Sequence, residues 1–211
     1  MTIEIYDDFL VPSEHEKLEE LFLGKKEYGN YTNSDFPWFW GTIIGGSSEY
    51  DPLNNRQLSS LIYDYNHNAG HLFCGIIPQT NPNNLKEILS DPRLNVAALC
   101  RIKANLSPRT VDHNTNGFHI DLPYKCTTGI FYVNTNNGWT EFEDGTKVEC
   151  VANRMITFPS YMRHAGVTTT DSHCKVLINF NYFEVIQHDS SVQEKINYYG
   201  NTNLKENGSN N

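Results

Sequence analysis

The chain has 211 residues, of which 16 are Lys or Arg and 25 are Asp or Glu, so its formal net charge at pH 7 is −9. This length suits one domain with one sizeable core. The apolar runs, such as Val96–Cys100, are far shorter than a bilayer requires. The negative net charge also argues against non-specific nucleic-acid binding, which depends on clustered basic side chains, although it leaves room for a local basic groove. Composition therefore excludes a membrane partner and disfavours a nucleic-acid partner.

The spacing of the cysteines and the N-terminal residues indicate the cellular compartment in which the protein is expected. The five cysteines are widely spaced and include no CxxC pair, which favours free thiols in a reducing compartment over a disulfide framework or a zinc knuckle. Residues 1–10 contain no basic stretch followed by an apolar segment, so they do not resemble a secretory signal. We therefore expect a cytoplasmic protein.

The N-terminal part of the chain predicts helical structure. A short strand is expected within Thr2–Phe9, followed by a helix over Glu14–Leu23. Ser13 is the predicted N-cap of this helix, with Glu16 completing a capping box. Gly24 is expected to end the helix, since glycine favours the backbone conformation found at helix C-termini.

Further along the chain the pattern changes from helical to β-prone. Weaker helical patterns cover Arg56–Asn66 and Leu85–Ser90. From about residue 94, short β-prone runs alternate with Asn, Gly, Asp and Pro. These runs are Leu94–Leu106, Phe118–Asp121, Thr127–Asn134, Thr140–Phe142, Lys147–Val151, Met155–Phe158 and Cys174–Phe183. They predict an α+β, mainly β fold, in which the N-terminal helices support a β-sandwich or barrel. The Asn- and Gly-rich tail, 200–211, is predicted to be disordered.

Two histidines and one aspartate form the strongest candidate for chemistry. His119 and Asp121 lie two residues apart in a predicted strand, so their side chains project from one face. His164 would supply a third ligand from elsewhere in the chain. Two imidazoles and a carboxylate on one side of a metal leave the other side open, as non-haem Fe(II) enzymes require. A catalytic zinc accepts the same ligands, so this pattern alone leaves the metal open.

The His-x-Asp tripeptide is the first of five motifs in a distinctive order. The five are His119-Ile-Asp121, Tyr132-Val-Asn134, Asn137-Gly-Trp-Thr-Glu-Phe142, His164 and, eleven residues later, Lys175. In this order the sequence resembles the iron(II)/2-oxoglutarate-dependent dioxygenases, specifically the prolyl-4-hydroxylase-like branch. The resemblance covers most of the chain and is strongest over residues 96–183. It departs at Trp139, where the family has a second turn glycine, and at Lys175, where Arg is more common.

The resemblance implies a double-stranded β-helix, or jelly-roll, core at about residues 94–185, with supporting N-terminal helices. This core would belong to a single dioxygenase domain spanning residues 1–199. The implied cofactors are Fe(II), the cosubstrate 2-oxoglutarate and O₂, with ascorbate as a reductant. The implied partner is a hydroxylation substrate, either a peptide or a small molecule, with peptidyl proline as the family's default. Succinate and CO₂ would be released.

The resemblance also implies a role for six residues. The implied catalytic metal ligands are His119, Asp121 and His164, and the implied cosubstrate-binding residues are Lys175, Tyr132 and Asn179. Lys175 would pair with the far carboxylate of the oxo-acid, Tyr132 would hydrogen-bond the same group, and Asn179 would support it. A period-2 strand places Lys175 and Asn179 on one face, which is consistent with one shared pocket.

Two alternative functions stay open. A cupin-like metalloenzyme would use the metal ligands without an oxo-acid, and a non-catalytic jelly-roll module would retain only the fold. The cation at Lys175, downstream of an intact triad, favours the dioxygenase, since a binding module needs neither feature.

Five other polar residues also have two interpretations. Arg101, Lys103 and Asn105 alternate on a predicted strand and either line the pocket or face solvent. Arg154 and Arg163 flank the strand of the distal histidine, His164, and they either bind an acidic substrate or form structural ion pairs.

Overall fold

The computed structural model describes residues 2–27, 30–32, 34–41, 57–65, 82–123 and 125–185. The helices are α1 (Pro12–Leu23) and α2 (Lys86–Leu89), and a 3-10 turn covers Pro82–Leu85. The strands are β1 (Glu4–Tyr6), β2 (Lys26–Glu27), β3 (Asn30–Tyr31), β4 (Phe39–Gly41), β5 (Gln57–Asp64), β6 (Val96–Pro108), β7 (Thr127–Tyr132), β8 (Trp139–Phe142), β9 (Lys147–Glu149), β10 (Arg154–Pro159), β11 (His164–Val167) and β12 (Cys174–Glu184). The tail predicted to be disordered lies outside the described residues. Within the described part of the chain, no helix is long and apolar enough to cross a membrane.

The strands form two main antiparallel sheets. The major sheet has seven strands in the order β1-β10-β7-β12-β6-β5-β4, and the minor sheet has three in the order β11-β8-β9. Neighbours in the major sheet are mostly distant in sequence, as in a jelly roll, where the chain crosses repeatedly between two sheets. The predicted α+β, mainly β fold class is confirmed, with α1 supporting one face of the major sheet.

The minor sheet is extended by the segment that carries the first histidine. Thr115 bridges Val167, and His119 bridges His164 through hydrogen bonds of 3.0 Å in both directions between their backbones. The prediction of a strand over Phe118–Asp121 is therefore wrong beyond His119. Pairing stops there because β11 begins at His164, so the following residues have no strand to pair with.

The two long strands β6 and β12 separate the larger of two hydrophobic clusters from the site. They pair along their length, with Lys175 opposite Ser107 and Asn179 opposite Lys103. Because strand side chains alternate between faces, one face is apolar and packs beneath α1. The buried residues of this face include Ile102, Ala104, Val176, Ile178 and Phe180, which join Leu18, Phe22 and Leu23 of α1 in one core. The opposite face is polar and faces the minor sheet.

Two further local predictions made from sequence are wrong. Helix α1 begins at Pro12 with Val11 at the N-cap position, and no side chain caps it. Proline is favoured at the first helical position, because its φ is fixed near the helical value and its missing N–H costs nothing there. Ser13 therefore lies inside the first turn, and the predicted capping box with Glu16 does not form. The predicted end of the helix at Gly24 is confirmed, with φ of 87°.

The second wrong prediction concerns the helical pattern over Arg56–Asn66. Residues 57–64 form β5, which pairs with β4 and β6. Its burial alternates, with Ser60 and Ile62 buried. Sheet pairing on both sides therefore outweighs the weak local helical preference.

Candidate metal site

The three residues of the predicted metal triad lie together. One ligand atom from each of His119, Asp121 and His164 lies within 4.8 Å of the others. Each imidazole Nε2 lies 3.9 Å from a different oxygen of the Asp121 carboxylate. The antiparallel bridge between His119 and His164 brings the two rings together, with centroids 4.8 Å apart. Asp121 reaches the same point from the turn that follows the bridge.

Backbone carbonyls set the protonation of both histidines. Nδ1 of His119 lies 3.0 Å from the carbonyl oxygen of Gly117, and Nδ1 of His164 lies 3.1 Å from that of Met162. A carbonyl oxygen only accepts hydrogen bonds, so each Nδ1 carries the proton. The Nε2 atoms are therefore free to bind a metal, as in most metal sites where the other ring nitrogen donates to a carbonyl or carboxylate.

Burial and charge keep Asp121 and His164 in their metal-binding protonation states. The side chains of His164 and Asp121 are 3% and 4% exposed. Burial lowers the pKa of His164, which keeps this imidazole neutral at pH 7. Burial opposes ionisation of Asp121, but the nearby His164 and Arg101 outweigh it, so the pKa of Asp121 is below its ordinary value. The site thus offers one carboxylate and one buried, neutral imidazole, with His119 presenting a free Nε2 beside them.

Three side chains orient the Asp121 carboxylate. Arg101 donates from Nη2 to Oδ1 over 2.9 Å, and Asn179 donates from Nδ2 to Oδ2 over 3.3 Å. Asn181 donates from Nδ2 to Oδ2 over 3.4 Å, and its own Oδ1 accepts a hydrogen bond from Nε of Arg101. Asn181 was not predicted from sequence, although its position two residues after Asn179 places it on the same strand face.

The donor set fits an iron ion. Two imidazole nitrogens and one carboxylate oxygen that converge from one side are the ligands of non-haem Fe(II) oxygenases, and they leave coordination positions open. His119, Asp121 and His164 are the residues that would hold the ion. Zinc accepts the same donors, so the rest of the cavity has to distinguish the two metals.

A cavity of about 340 Å³ lies between the sheets and contains this site. Alternate residues of β6 and β12 form one wall, and β8 and β11 form the other. The lining residues include Arg101, Lys103, Asn105, Ser107, Thr140, His164, Gly166, Lys175, Leu177 and Asn179. Of the two interpretations of Arg101, Lys103 and Asn105, the one that places them in the pocket is therefore correct.

Lys175 is a buried cation in this cavity. It is 2% exposed, and its Nζ donates to the carbonyl oxygens of Val167, over 2.6 Å, and of Trp139, over 3.1 Å. Burial lowers the pKa of this ammonium group. It forms no ion pair with any carboxylate of the described residues. An ammonium has three N–H donors, so one remains for an anion that enters the cavity.

Tyr132 and Asn179 occupy positions different from those that their implied roles suggest. Tyr132 is buried and is not among the side chains that line the cavity. Its hydroxyl donates to Oγ1 of Thr140 over 2.7 Å, and Thr140 does line the cavity. Burial raises the pKa of Tyr132, so this hydroxyl stays protonated. Asn179 lines the cavity, but its amide contacts Asp121 and not Lys175.

The two arginines that flank the distal part of the site form structural ion pairs. Arg154 pairs with Asp7, with Nε 2.6 Å from Oδ1, and Arg163 pairs with Glu143, with Nε 2.9 Å from Oε1. Neither arginine lines the cavity. Of their two interpretations, the structural one is therefore correct.

Comparisons with known proteins identify the fold. No family model matches the sequence, and no curated protein matches it. The non-heme alpha ketoglutarate dependent epimerase SnoN from nogalamycin biosynthesis matches the structure with a TM-score of 0.54 and 11% identity, covering 86% of this chain and 77% of that one. A complex of SnoN with Fe³⁺, alpha ketoglutarate and nogalamycin RO matches with a TM-score of 0.53 and 9% identity, covering 86% and 78%.

Two further structures match less closely. A 2OG-Fe(II) oxygenase family oxidoreductase from Burkholderia pseudomallei has a TM-score of 0.51 and 14% identity, covering 70% of this chain and 74% of that one. A prolyl-4-hydroxylase from Pseudomonas putida has a TM-score of 0.47 and 13% identity, covering 86% of this chain and 92% of that one. This match does not assign the chain to a branch of the superfamily. At these identities the likeness concerns architecture: this chain has the jelly-roll fold of the 2-oxoglutarate/Fe(II) oxygenases.

Proposed function

We propose that this protein is an Fe(II)- and 2-oxoglutarate-dependent dioxygenase that hydroxylates its substrate and releases succinate and CO₂. The proposal rests on one observation: a His-Asp-His triad and a buried lysine with no carboxylate partner among the described residues share one cavity. A cupin-like enzyme without an oxo-acid has no use for Lys175. A non-catalytic binding module has no use for the triad.

The triad residues would hold the iron. When bound together, Fe(II) and 2-oxoglutarate activate O₂ for hydroxylation. His119 and His164 present Nε2 because their Nδ1 protons are engaged by carbonyls. Asp121 supplies the negative charge, and its orientation is maintained by the neutral amides of Asn179 and Asn181. These contacts preorganise the ligands, so little conformational freedom is lost when the metal binds.

Lys175 and Thr140 would hold the far carboxylate of 2-oxoglutarate. The Lys175 ammonium carries an uncompensated charge in a buried site, and a carboxylate would relieve this cost. The hydrogen bond from Tyr132 occupies the oxygen of Thr140, so the Thr140 hydroxyl proton is free to donate into the cavity. Tyr132 would therefore act on the cosubstrate through Thr140.

Peptidyl proline is the first substrate to test, because the order of the motifs resembles the prolyl-4-hydroxylase-like branch. O₂ would be the co-reactant, and ascorbate the reductant to add to assays. Release of succinate that depends on an added peptide would support this substrate.

The decisive experiment is anaerobic addition of Fe(II) and then 2-oxoglutarate to the metal-free protein, followed by visible absorption. We expect a weak charge-transfer band that requires both additions, because it arises when the oxo-acid chelates iron. His164→Ala should abolish the band, whereas the matched control His173→Ala, at an exposed histidine outside the cavity, should retain it. Iron binding without a band would favour the cupin-like enzyme, and absence of iron binding would favour a binding module.

A further inference from the structure

Lys103 is a second cavity cation whose side chain has no partner in the part of the chain that the structure describes. It lies on β6 opposite Asn179 of β12, and it lines the cavity near the metal triad. Its side chain forms no hydrogen bond or ion pair with the described residues. Lys175 lies four residues before Asn179 on β12, which is about 13 Å along the strand. The two lysines therefore serve different parts of the cavity.

The charges that line the cavity do not balance. Among the described residues that line the cavity, Arg101, Lys103 and Lys175 face one carboxylate, that of Asp121, which pairs with Arg101. If 2-oxoglutarate neutralises Lys175, as the proposed function states, Lys103 still lacks an anion among the described residues. On a chain of net charge −9, an excess of positive charge inside a cleft attracts anions into it.

An unpaired acceptor lies beside Lys103. Because the Asp121 carboxylate only accepts hydrogen bonds, Asn179 must turn Nδ2 towards it and Oδ1 away from it. That Oδ1 accepts from Nδ2 of Asn105 over 3.5 Å, which leaves Oδ1 of Asn105 buried and without a partner in the described structure. Asn105 is 6% exposed and lines the cavity two residues from Lys103. A buried acceptor without a donor is costly, so a ligand with a donor is favoured here.

We propose that Lys103 binds an acidic group of the substrate and that Asn105 Oδ1 accepts a hydrogen bond from an O–H or N–H group of the same molecule. The substrate is therefore a small acid that carries a carboxylate or a phosphate together with a hydrogen-bond donor. This inference rests on the proposed function, because it takes Lys175 as engaged by 2-oxoglutarate. A proline within a neutral peptide offers no acid for Lys103, so the inference favours a small molecule over that default.

The test is equilibrium binding to the Mn(II)-loaded protein saturated with 2-oxoglutarate, a form that does not turn over. Calorimetric titrations use L-proline as a carboxylate with a donor, L-prolinamide as its uncharged-carbonyl analogue, and inorganic phosphate. We expect at least one of the two acids to bind and L-prolinamide not to bind. Lys103→Gln should weaken binding of the acid at least tenfold, and Lys103→Arg should retain it. Lys86→Gln, at a lysine whose side chain is 72% exposed, is the matched control and should behave as wild type.

Four outcomes would overturn the inference. The first is that L-prolinamide binds as tightly as L-proline. The second is that neither acid binds the wild-type protein, and the third is that Lys103→Gln retains full affinity for the acid. Finally, Lys103→Gln could weaken 2-oxoglutarate at least tenfold, which would assign Lys103 to the cosubstrate. Failure of the Fe(II)–2-oxoglutarate band would instead reject the proposed function, so the two failures are distinguishable.

Discussion

Arg101 on β6 donates from Nη2 to Oδ1 of Asp121 over 2.9 Å, which ties the carboxylate of the candidate metal site to the major sheet. The carboxylate is 4% exposed and the arginine side chain 20% exposed, so the pair is largely removed from water. Breaking such a pair leaves a buried charge uncompensated. A divalent metal would place a second positive charge beside the same oxygen. Arg101 therefore stabilises the metal-free site and competes with the metal.

Replacing Arg101 by Gln should have opposite effects on the metal-free and metal-bound protein. We expect Arg101→Gln to lower the free energy of unfolding of the metal-free protein by about 3 kcal/mol, because Asp121 loses its cation. Mn(II) should then raise the melting temperature of the variant by more than that of wild type, because the metal replaces the missing charge. Thermal unfolding with and without Mn(II) measures both effects. Equal metal-induced shifts would contradict the competition.

Lys175 should make the stability of the ligand-free protein depend on pH at alkaline values. Its pKa is lowered by burial from the ordinary value of 10.5, so the unfolded chain binds a proton more tightly than the folded one. Below the pKa of Lys175 in the folded protein, the lysine is charged in both the folded and the unfolded chain, so the folded state bears the full cost of burying the charge. As pH rises through the folded pKa towards 10.5, the penalty is relieved and stability increases, by at most about 1.4 kcal/mol per pH unit.

The measurement is denaturant unfolding of wild type and Lys175→Met between pH 8 and pH 10. The free energy of unfolding of wild type should rise relative to that of the variant across this range. Saturating 2-oxoglutarate should flatten the difference, because a carboxylate retains the proton on Lys175. A difference that is independent of pH without ligand would show that burial does not shift the lysine.

Gly166 should control the space beside Lys175. A Cβ at this position would lie 3.4 Å from Nδ2 of Asn116 and 3.5 Å from Nζ of Lys175, which are ordinary contacts, so the fold should tolerate it. The added methyl group would project into the cavity where the far carboxylate of 2-oxoglutarate is proposed to bind. We expect Gly166→Ala to weaken 2-oxoglutarate about tenfold without weakening Mn(II).

Gly129→Ala is the matched control for this steric effect. A Cβ at Gly129 would lie 3.5 Å from Sδ of Met155, outside the cavity lining. Isothermal titration of both variants with 2-oxoglutarate compares them directly. Unchanged cosubstrate affinity in Gly166→Ala would place the oxo-acid elsewhere.

The sequence predicted those parts of the site that depend on motif order. His119, Asp121, His164 and Lys175 were identified because the order of their motifs resembles that of the dioxygenase family, and the structure brings them into one cavity. The alternation of polar residues on β6 also indicated a shared face, because strand side chains alternate regardless of what pairs with the strand.

The remaining features depend on which strands become neighbours, and local spacing does not reveal this. Arg101 and Asn181 are 80 residues apart, and they meet only because β6 and β12 pair in this register. Tyr132 has the residue type and spacing of a cosubstrate ligand, but the pleat of β7 places its hydroxyl against Thr140. The strand β5 was missed for the same reason, since its two partners, β4 and β6, determine its conformation.

For Asn179, the role that the resemblance implies differs from the contact that the structure shows. The resemblance places Asn179 in support of the cosubstrate, whereas its amide donates to Asp121 over 3.3 Å. Groups that orient a metal ligand commonly contribute about tenfold or more to metal affinity. We expect Asn179→Ala to weaken Mn(II) binding about tenfold, while the affinity of the metal-saturated protein for 2-oxoglutarate changes less than threefold. Competition with a chelator measures the first quantity, and calorimetry at saturating Mn(II) the second. The opposite result, intact metal affinity with weakened 2-oxoglutarate, would restore the role in cosubstrate binding, because an amide that serves only Asp121 has no direct effect on the oxo-acid.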